Sequence, residues 1–469
     1  MSIVTALKPI YSLLPEVKRP ERAPALKQKL LWTGVALLIF FVLGQIYPIG
    51  VDPTRIQSFV RLDILLGSQT GSLISAGIGP IVLASIFLQL AVGSKLIKLD
   101  TSDPEQKKGF QGLQKMLAIL LSFLEGGVFA FSGYITPIDN AFSTMFLVML
   151  QLAIGSIILL YLDEVVQKYG IGSGISLFIA AGVSRSVFVG ALSFVSTAGG
   201  VPSGLIPQAI YWITQGSIAT ALWTLMPIVF TILVFLVVVY IEGMKIELPL
   251  AYGRARGLGA RYPIKFLYVS NIPVILASAV LLNIQLMGAF TSAPLPDNPD
   301  IKVGFLGQYQ DNQPISGPAY HLTALPSPLL IGGYETYLQF LMQPREIMHA
   351  FFYGIALVVL CMIFGWFWIE STGMGAKDVA AQLQKSGLLI PGFRQDPRIT
   401  EKILERYIPI ITILGSFFVG VLAWFADVTG ALGTGTGILL TVGILYRFYE
   451  DLARQQLFEM YPVLRTIVR

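Results

Sequence analysis

Two glycine-rich stretches, GIGSG at residues 170–174 and GALGTGTG at residues 430–437, decide the fold that we predict for this chain. Each leads into the last of five membrane-length apolar stretches, so ten such stretches divide into two halves. The second stretch of each half also carries a backbone irregularity, GIGP at residues 77–80 and NIP at residues 271–273. Because each half has five spans, an odd number, the second half crosses the bilayer in the inverted orientation. Inverted repeats of this kind place a pathway at their interface. We predict an all-α integral membrane protein with ten transmembrane helices in two inverted five-helix halves forming a central channel.

The composition excludes an ordinary water-soluble domain. Of the 469 residues, 54% are hydrophobic and 13% are charged, and the mean hydropathy is +0.71. A helix needs about 20 apolar residues to cross the hydrocarbon, and helices leave no backbone polar group unpaired in lipid. The predicted spans are Leu30–Ile46, Ala76–Leu96, Met116–Tyr134, Phe142–Leu162, Ile175–Leu192, Leu222–Ile241, Phe266–Leu286, Ile347–Ile369, Tyr407–Phe425 and Gly430–Tyr446.

Basic residues alternate between the two sides of the predicted bilayer. Six of the 32 Lys and Arg residues precede the first span, whereas the connection 192–221 has none. The positive-inside bias therefore places both termini in the cytoplasm. We predict a multi-pass protein of the cell membrane, with the endoplasmic reticulum membrane as the alternative. Its parts are a cytoplasmic amphipathic segment at 1–29, a first half at 30–192, an outer hinge connection at 193–221, a second half at 222–450 and a cytoplasmic tail at 451–469.

The segment at about 56–71 is apolar but too short to cross the bilayer, and it leads directly into the second span. Irregular backbone at membrane depth is tolerated only where protein or water surrounds it. We therefore predict a re-entrant helix at this position. A helix on the outer surface is the alternative.

The sequence has no residue pattern for catalysis, cofactor binding or metal binding, so we predict that the protein is not an enzyme. His321 and His349 have no metal-ligand spacing, and we expect both imidazoles to be solvated or interfacial. The single cysteine, Cys361, lies inside a span. Acidic residues near span ends, such as Asp163 and Asp427, can extend toward water and need no special role.

Branched apolar side chains surround the irregular helices, where a substrate-binding site would offer polar groups. Such a collar resists ions and water by dewetting. Six such side chains form either a pore ring or ordinary helix packing, namely Ile78, Val82, Ile175, Ile179, Ile275 and Leu440.

Glu125 lies near the middle of the third span and, with Asn283, forms either a structural polar contact or a movable seam. Two other functions remain open from the residues alone. The first is an ion-coupled transporter of small solutes built from inverted repeats. The second is a membrane scaffold that only recruits ribosomes.

Four long stretches resemble the SecY family of protein translocase channels, in particular its archaeal and eukaryotic branch. They are residues 77–82, 161–182, 262–275 and 430–440, and the similarity extends from about Pro15 to the carboxyl end.

The resemblance implies a channel that passes unfolded secretory polypeptides and releases membrane-protein helices laterally into the lipid bilayer. It assigns the pore ring to the six residues named above and the plug to the re-entrant segment. The implied partners are SecE-type (gamma) and beta-type small single-span subunits, signal sequences, nascent polypeptides and the ribosome or another driving partner. The implied plug residues are Val60, Arg61, Leu62, Ile64, Leu65 and Leu66; the lateral-gate residues are Leu83, Glu125 and Asn283; and the docking residues are Lys245, Arg254, Arg256, Arg261, Lys377, Arg394 and Arg398.

Overall fold

The structure is a computed structural model in which the chain forms two compact units. The first contains residues 1–188 and 440–469, and the second contains residues 189–439. The residues described are 9, 13–21, 24–52, 71–93, 96–97, 104–131, 135, 137–139, 141–195, 200–252, 259–269, 272–295, 301–310, 313–329, 331–385, 388–389 and 397–460. The assignment of these units to the two predicted halves stays a prediction.

The first unit is built from long helices. They are α1 (Leu26–Leu43), α2 (Gly79–Gly93), α3 (Pro104–Phe131), α4 (Phe142–Tyr169), most of α5 (Gly174–Leu192) and the larger part of α14 (Gly435–Met460). Helix α4 packs against α1, α2 and α3. Phe40 of α1 stacks on Phe178 of α5, with ring centroids 5.0 Å apart.

The second unit adds two small sheets to its helices. Its helices are α6 (Leu205–Thr214), α7 (Ile218–Glu242), α8 (Ile272–Thr291), α9 (Pro318–His321), α10 (Tyr334–Leu341), α11 (Pro344–Thr372), α12 (Ala376–Lys385) and α13 (Pro397–Val428). Its strands are β1 (Lys245–Tyr252), β2 (Gly259–Lys265), β3 (Ala293–Pro294), β4 (Ile301–Gly304), β5 (Gly307–Gln310), β6 (Gln313–Ser316) and β7 (Leu388–Leu389). The sheet orders are β2-β1-β7 and β3-β4-β5-β6.

A helix occupies the position of every predicted span. Among the described residues, eight helices are long and apolar enough to cross a membrane: α1, α3, α4, α5, α7, α8, α11 and α13. Helix α2 has 15 residues and spans only about 22 Å, less than the hydrocarbon thickness of about 30 Å. Helix α14 carries five charged residues from its middle onward, at Arg447, Glu450, Asp451, Arg454 and Glu459. The all-α membrane fold is confirmed.

Glycines let the long helices approach closely. A Cβ atom on Gly126 of α3 would lie 2.9 Å from the Met149 carbonyl oxygen of α4. In the second unit, a Cβ on Gly420 of α13 would lie 3.0 Å from the Val358 Cα of α11. Small residues at helix contacts are expected in lipid, where association depends on close packing rather than on the hydrophobic effect.

The described parts of the basic loops, at 245–252, 259–265, 377–385, 388–389 and 397–406, form one folded platform, which the sequence did not predict. Strands β1 and β2 pair antiparallel from Lys245 opposite Lys265 to Ala251 opposite Gly259. Helix α12 packs on the first turns of α13. Their apolar faces share a core formed by Ile264, Val269, Ile369, Val379, Ala380, Leu383, Leu404, Ile408 and Ile411. This core joins the described parts of the two basic loops.

The connection at 287–345 contains the sheet β3–β6 and two short helices, α9 and α10. Tyr309 of β5 is completely buried against Ala289 and Ala319. Its hydroxyl lies so close to Gly288 of α8 that any Cβ there would overlap it. Burial raises the pKa of Tyr309. The four-stranded sheet β3–β6 is therefore packed directly onto the end of α8.

Of the two expectations for His349, solvated or interfacial, the solvated one is wrong, because its side chain is only 2% exposed. Its Nε2 lies 2.7 Å from the Thr323 carbonyl oxygen and its Nδ1 lies 3.2 Å from Glu346 Oε2. The Tyr320 hydroxyl donates to the other oxygen of Glu346, at 2.6 Å. Burial and this hydrogen bond raise the pKa of Tyr320, and burial lowers the pKa of His321. This buried cluster joins Tyr320 and Thr323 to the start of α11.

Residues 13–21 of the amino-terminal segment lie against the end of α4. The Val17 amide donates to Glu164 at 3.1 Å, and the Lys168 ammonium pairs with Glu16 at 2.8 Å. That hydrogen bond to Lys168 lowers the pKa of Glu16. Lys115 of α3 also pairs with Glu164. Residues 1–8, 10–12 and 22–23 of the predicted amphipathic segment lie outside the described residues.

Candidate pore and gate residues

Two predicted ring residues lie at the start of α2, Ile78 just before the helix and Val82 within it. The segment that leads into the helix is buried and non-helical. Residues 71–78 form consecutive turns and bends, and Gly77 takes a φ of +55° to enter the helix. Ile74, Ala76 and Ile78 are completely buried. Non-helical backbone at membrane depth requires such burial in protein. The GIGP motif therefore marks a helix start, with Val82 one turn into α2.

The start of α5 carries Ile175 and Ile179, which lie one turn apart. Ile179 is buried and Ile175 is half-buried. The Ile175 amide donates a hydrogen bond to Asp163 Oδ1 of α4, at 3.0 Å. Carboxylates at this position satisfy helix-start amides and complement the helix dipole.

The start of α14 has the same construction. The Gly435 amide donates to Asp427 Oδ1 of α13, at 2.8 Å. Thr434 has a φ of +61°, and its hydroxyl accepts a hydrogen bond from the Gly437 amide at 3.1 Å. The ring residue Leu440 is buried just over one turn into the helix.

The sixth ring residue, Ile275, lies one turn into α8 of the second unit and is half-buried. Pro273 occupies the first turn of α8, where its missing N–H leaves no hydrogen bond unmade. The NIP motif therefore marks a helix start, as the GIGP motif does in the first unit.

The three lateral-gate residues lie on three helices. Leu83 on α2 and Glu125 on α3 belong to the first unit, and both are half-buried. Asn283 lies on α8 of the second unit, where its amide donates to the Ala279 carbonyl oxygen at 2.8 Å. Their roles stay predictions.

The described docking residues lie on the folded platform. Lys245 forms an ion pair with Glu247 at 3.3 Å, and Lys377 and Arg398 are exposed. Arg261 lies in β2, opposite Pro249. The remaining docking residues, Arg254, Arg256 and Arg394, lie outside the described residues. The same holds for all six plug residues, Val60, Arg61, Leu62, Ile64, Leu65 and Leu66.

Sequence reasoning missed the two aspartates at the helix starts. Asp163 and Asp427 were expected to extend toward water, but both are only 5% exposed. Burial of a carboxylate demands hydrogen-bond partners, and the helix-start amides supply them. The glycine runs that follow were the available signal, because a close approach of two backbones leaves no room for a side chain.

The fold and these helix starts define a multi-span helical membrane channel subunit, in which the six candidate ring residues are apolar. A family model described as SecY matches residues 72–449. The chain belongs to the SecY family.

Relatives and solved structures agree with this membership. The protein translocase subunit SecY of Methanothermobacter thermautotrophicus is 44% identical, with 98% of each chain covered. A structure described as "The structure of a protein conducting channel" has a TM-score of 0.80 at 42% identity, covering 97% of this chain and 98% of that one. The Sec61 structure from the canine ribosome-channel complex of the endoplasmic reticulum has a TM-score of 0.77 at 42% identity, with the same coverage. The chain is a pore-forming protein translocase subunit, not an enzyme, and these relatives do not favour the transporter alternative.

Proposed function

We propose that unfolded secretory polypeptides cross the membrane through a constriction formed by Ile78, Val82, Ile175, Ile179, Ile275 and Leu440. The observation that carries this proposal is the position of these residues. Each lies in or beside the first two turns of a helix whose start is fixed by a turn, a proline or a buried carboxylate. Branched apolar side chains held at such points can close around a passing chain and exclude water and ions.

Residues 56–71 are proposed to plug the resting channel, and Leu83, Glu125 and Asn283 to line the lateral gate. A signal sequence would open this gate by binding the parted state better than the closed state. Hydrophobic helices of membrane proteins would leave through the same opening into lipid. Leu83 cannot donate a hydrogen bond, so the polar members of this gate are Glu125 and Asn283.

The folded platform, formed by β1, β2, β7, α12 and the start of α13, is proposed to dock the ribosome. The similar Sec61 structure comes from a ribosome-channel complex. Lysine and arginine side chains on a rigid platform suit the phosphates of ribosomal RNA. Exposed Lys377 and Arg398, with the basic residues of the β1–β2 hairpin, would supply these contacts.

The orientation and partners of the channel follow from the same proposal. Both termini and the docking platform would face the cytoplasm, in line with the distribution of basic residues. The channel would reside in the cell membrane and would assemble with SecE-type (gamma) and beta-type small single-span subunits. The helices α1 and α7 present large exposed apolar faces, suited to lipid or to such subunits.

A reconstitution experiment tests this function. Proteoliposomes containing the chain and its small subunits are mixed with ribosomes carrying a stalled secretory chain. We expect the nascent chain to become protected from added protease, because it enters the channel. A secretory chain without its signal sequence is the control and should stay sensitive. If ribosomes bind but both chains stay fully sensitive to protease, the proposed function is wrong. The protein would then be a scaffold that only recruits ribosomes.

A further inference from the structure

We propose that Asp163 and Asp427 are matched positioning residues, which hold the helix starts that carry Ile175, Ile179 and Leu440. This inference rests on the proposed role of the pore ring and adds the residues that fix it in place. Each aspartate lies near the carboxyl end of the helix before a glycine-rich turn, and each accepts a hydrogen bond from the first residues of the helix after that turn.

The two carboxylates are held in the same way. One oxygen of Asp163 accepts from the Ile175 amide, and the other accepts from the Gln167 side-chain amide at 2.7 Å. One oxygen of Asp427 accepts from the Gly435 amide, and the other accepts from the Tyr353 hydroxyl at 2.8 Å. Each side chain is therefore fixed by a second donor while it binds the helix start.

Glycine makes both approaches possible. A Cβ atom on Gly174 would lie 2.6 Å from the Asp163 Cα atom, closer than such atoms approach one another. A Cβ on Gly435 would overlap the Ala423 carbonyl oxygen, one turn before Asp427. The glycine runs of the two halves therefore serve the same purpose, which is to bring a helix start against a buried carboxylate.

The consequence for the ring follows from helix geometry. Ile175 contributes the bound amide itself, and Ile179 lies one turn later on the same rigid helix. Leu440 follows the bound Gly435 amide by five residues. If a helix start loses its acceptor, its buried amide is left unpaired and the turn relaxes, so the apolar side chains lose their fixed positions.

Substitution of each aspartate by alanine tests the inference. We expect Asp163→Ala and Asp427→Ala each to raise the resting ion conductance of the reconstituted channel complex roughly tenfold, the factor by which losing a hydrogen bond to a charged group shifts an equilibrium. The resting ion conductance of Asp163→Asn and Asp427→Asn should stay near that of the unmodified channel. The asparagine oxygen still accepts from the backbone amide, and Gln167 and Tyr353 can each reorient to accept from the new NH₂ group.

Glu164→Ala is the matched control, because Glu164 neighbours Asp163 but binds Lys115 and Val17. It should leave the conductance unchanged. Gly174→Ala and Gly435→Ala provide a second test that retains the carboxylates, since the added methyl group pushes the helix start away. These two variants should also raise the resting ion conductance. If Asp163→Ala or Asp427→Ala fails to assemble, the glycine variants still test the inference.

Val82→Ser with Ile175→Ser serves as the ring control. If this control conducts while the aspartate and glycine variants do not, the positioning role is wrong and the ring stands. If the asparagine variants conduct as much as the alanine variants, or if Glu164→Ala conducts equally, the hydrogen bonds do not position the ring. If the ring control itself stays silent, the proposed ring fails.

Discussion

Replacement of Val82, Ile175 and Ile275 by serine is expected to make the resting channel conduct ions, and deletion of residues 56–71 in the same variant should increase this conductance further. A pore lined by hydroxyl groups holds water, whereas branched apolar side chains exclude it. A change in the barrier of about 1.4 kcal/mol gives a tenfold change, so we expect an increase of at least about tenfold. The measurement is the conductance of planar bilayers containing the purified complex.

The control carries the same chemical change on a face directed away from other helices. Ile232 and Leu236 of α7 are 54% and 60% exposed, so Ile232→Ser with Leu236→Ser should not conduct. Background conductance of the ring variant with residues 56–71 also deleted would show that these residues do not form the constriction.

Replacement of Gly155 by valine is expected to destabilise the first unit strongly. A Cβ atom on Gly155 of α4 would overlap the Leu73 carbonyl oxygen, which belongs to the backbone and cannot rotate away. Overpacking of this kind costs about 1–3 kcal/mol, at the upper end when backbone has to move. Because Leu73 belongs to the buried approach to α2, the variant should also disturb Ile78. Thermal unfolding of the purified complex in detergent measures the change.

Gly34→Val provides the matched control. Gly34 also lies inside a long helix, α1, but a Cβ there would have nothing within 4 Å. The intrinsic helix propensities therefore change equally in the two variants. Equal midpoints of unfolding for Gly155→Val and Gly34→Val would contradict the close packing of residue 73 against α4.

The spans were predictable because continuous apolar stretches have few stable solutions in lipid. The boundaries of the spans were less predictable. Helix α13 begins at Pro397, ten residues before the predicted span, because its start is amphipathic and packs against α12. Helix α8 begins at Ile272 rather than at Phe266, because Lys265 ends a strand that hydropathy does not reveal.

Helices after the glycine-rich stretches could be predicted, but not what holds the starts of those helices. An aspartate at the end of a span can reach water or turn inward, and its sequence neighbours are the same in both cases. Asp163 turns inward because the Ile175 amide needs an acceptor, and that contact joins residues 12 apart through a left-handed turn at Gly172. His349 was misjudged for the same reason, since its partner Thr323 lies 26 residues away.

Site-specific photocrosslinking of a stalled secretory chain tests the central claim most directly. A photoreactive residue is placed at Ile175 in one unit, at Ile275 in the other, or at the exposed position Leu236 as a control. The account predicts crosslinks from Ile175 and from Ile275 to the same region of the nascent chain, and none from Leu236. A translocating chain that crosslinks to neither Ile175 nor Ile275 would contradict it.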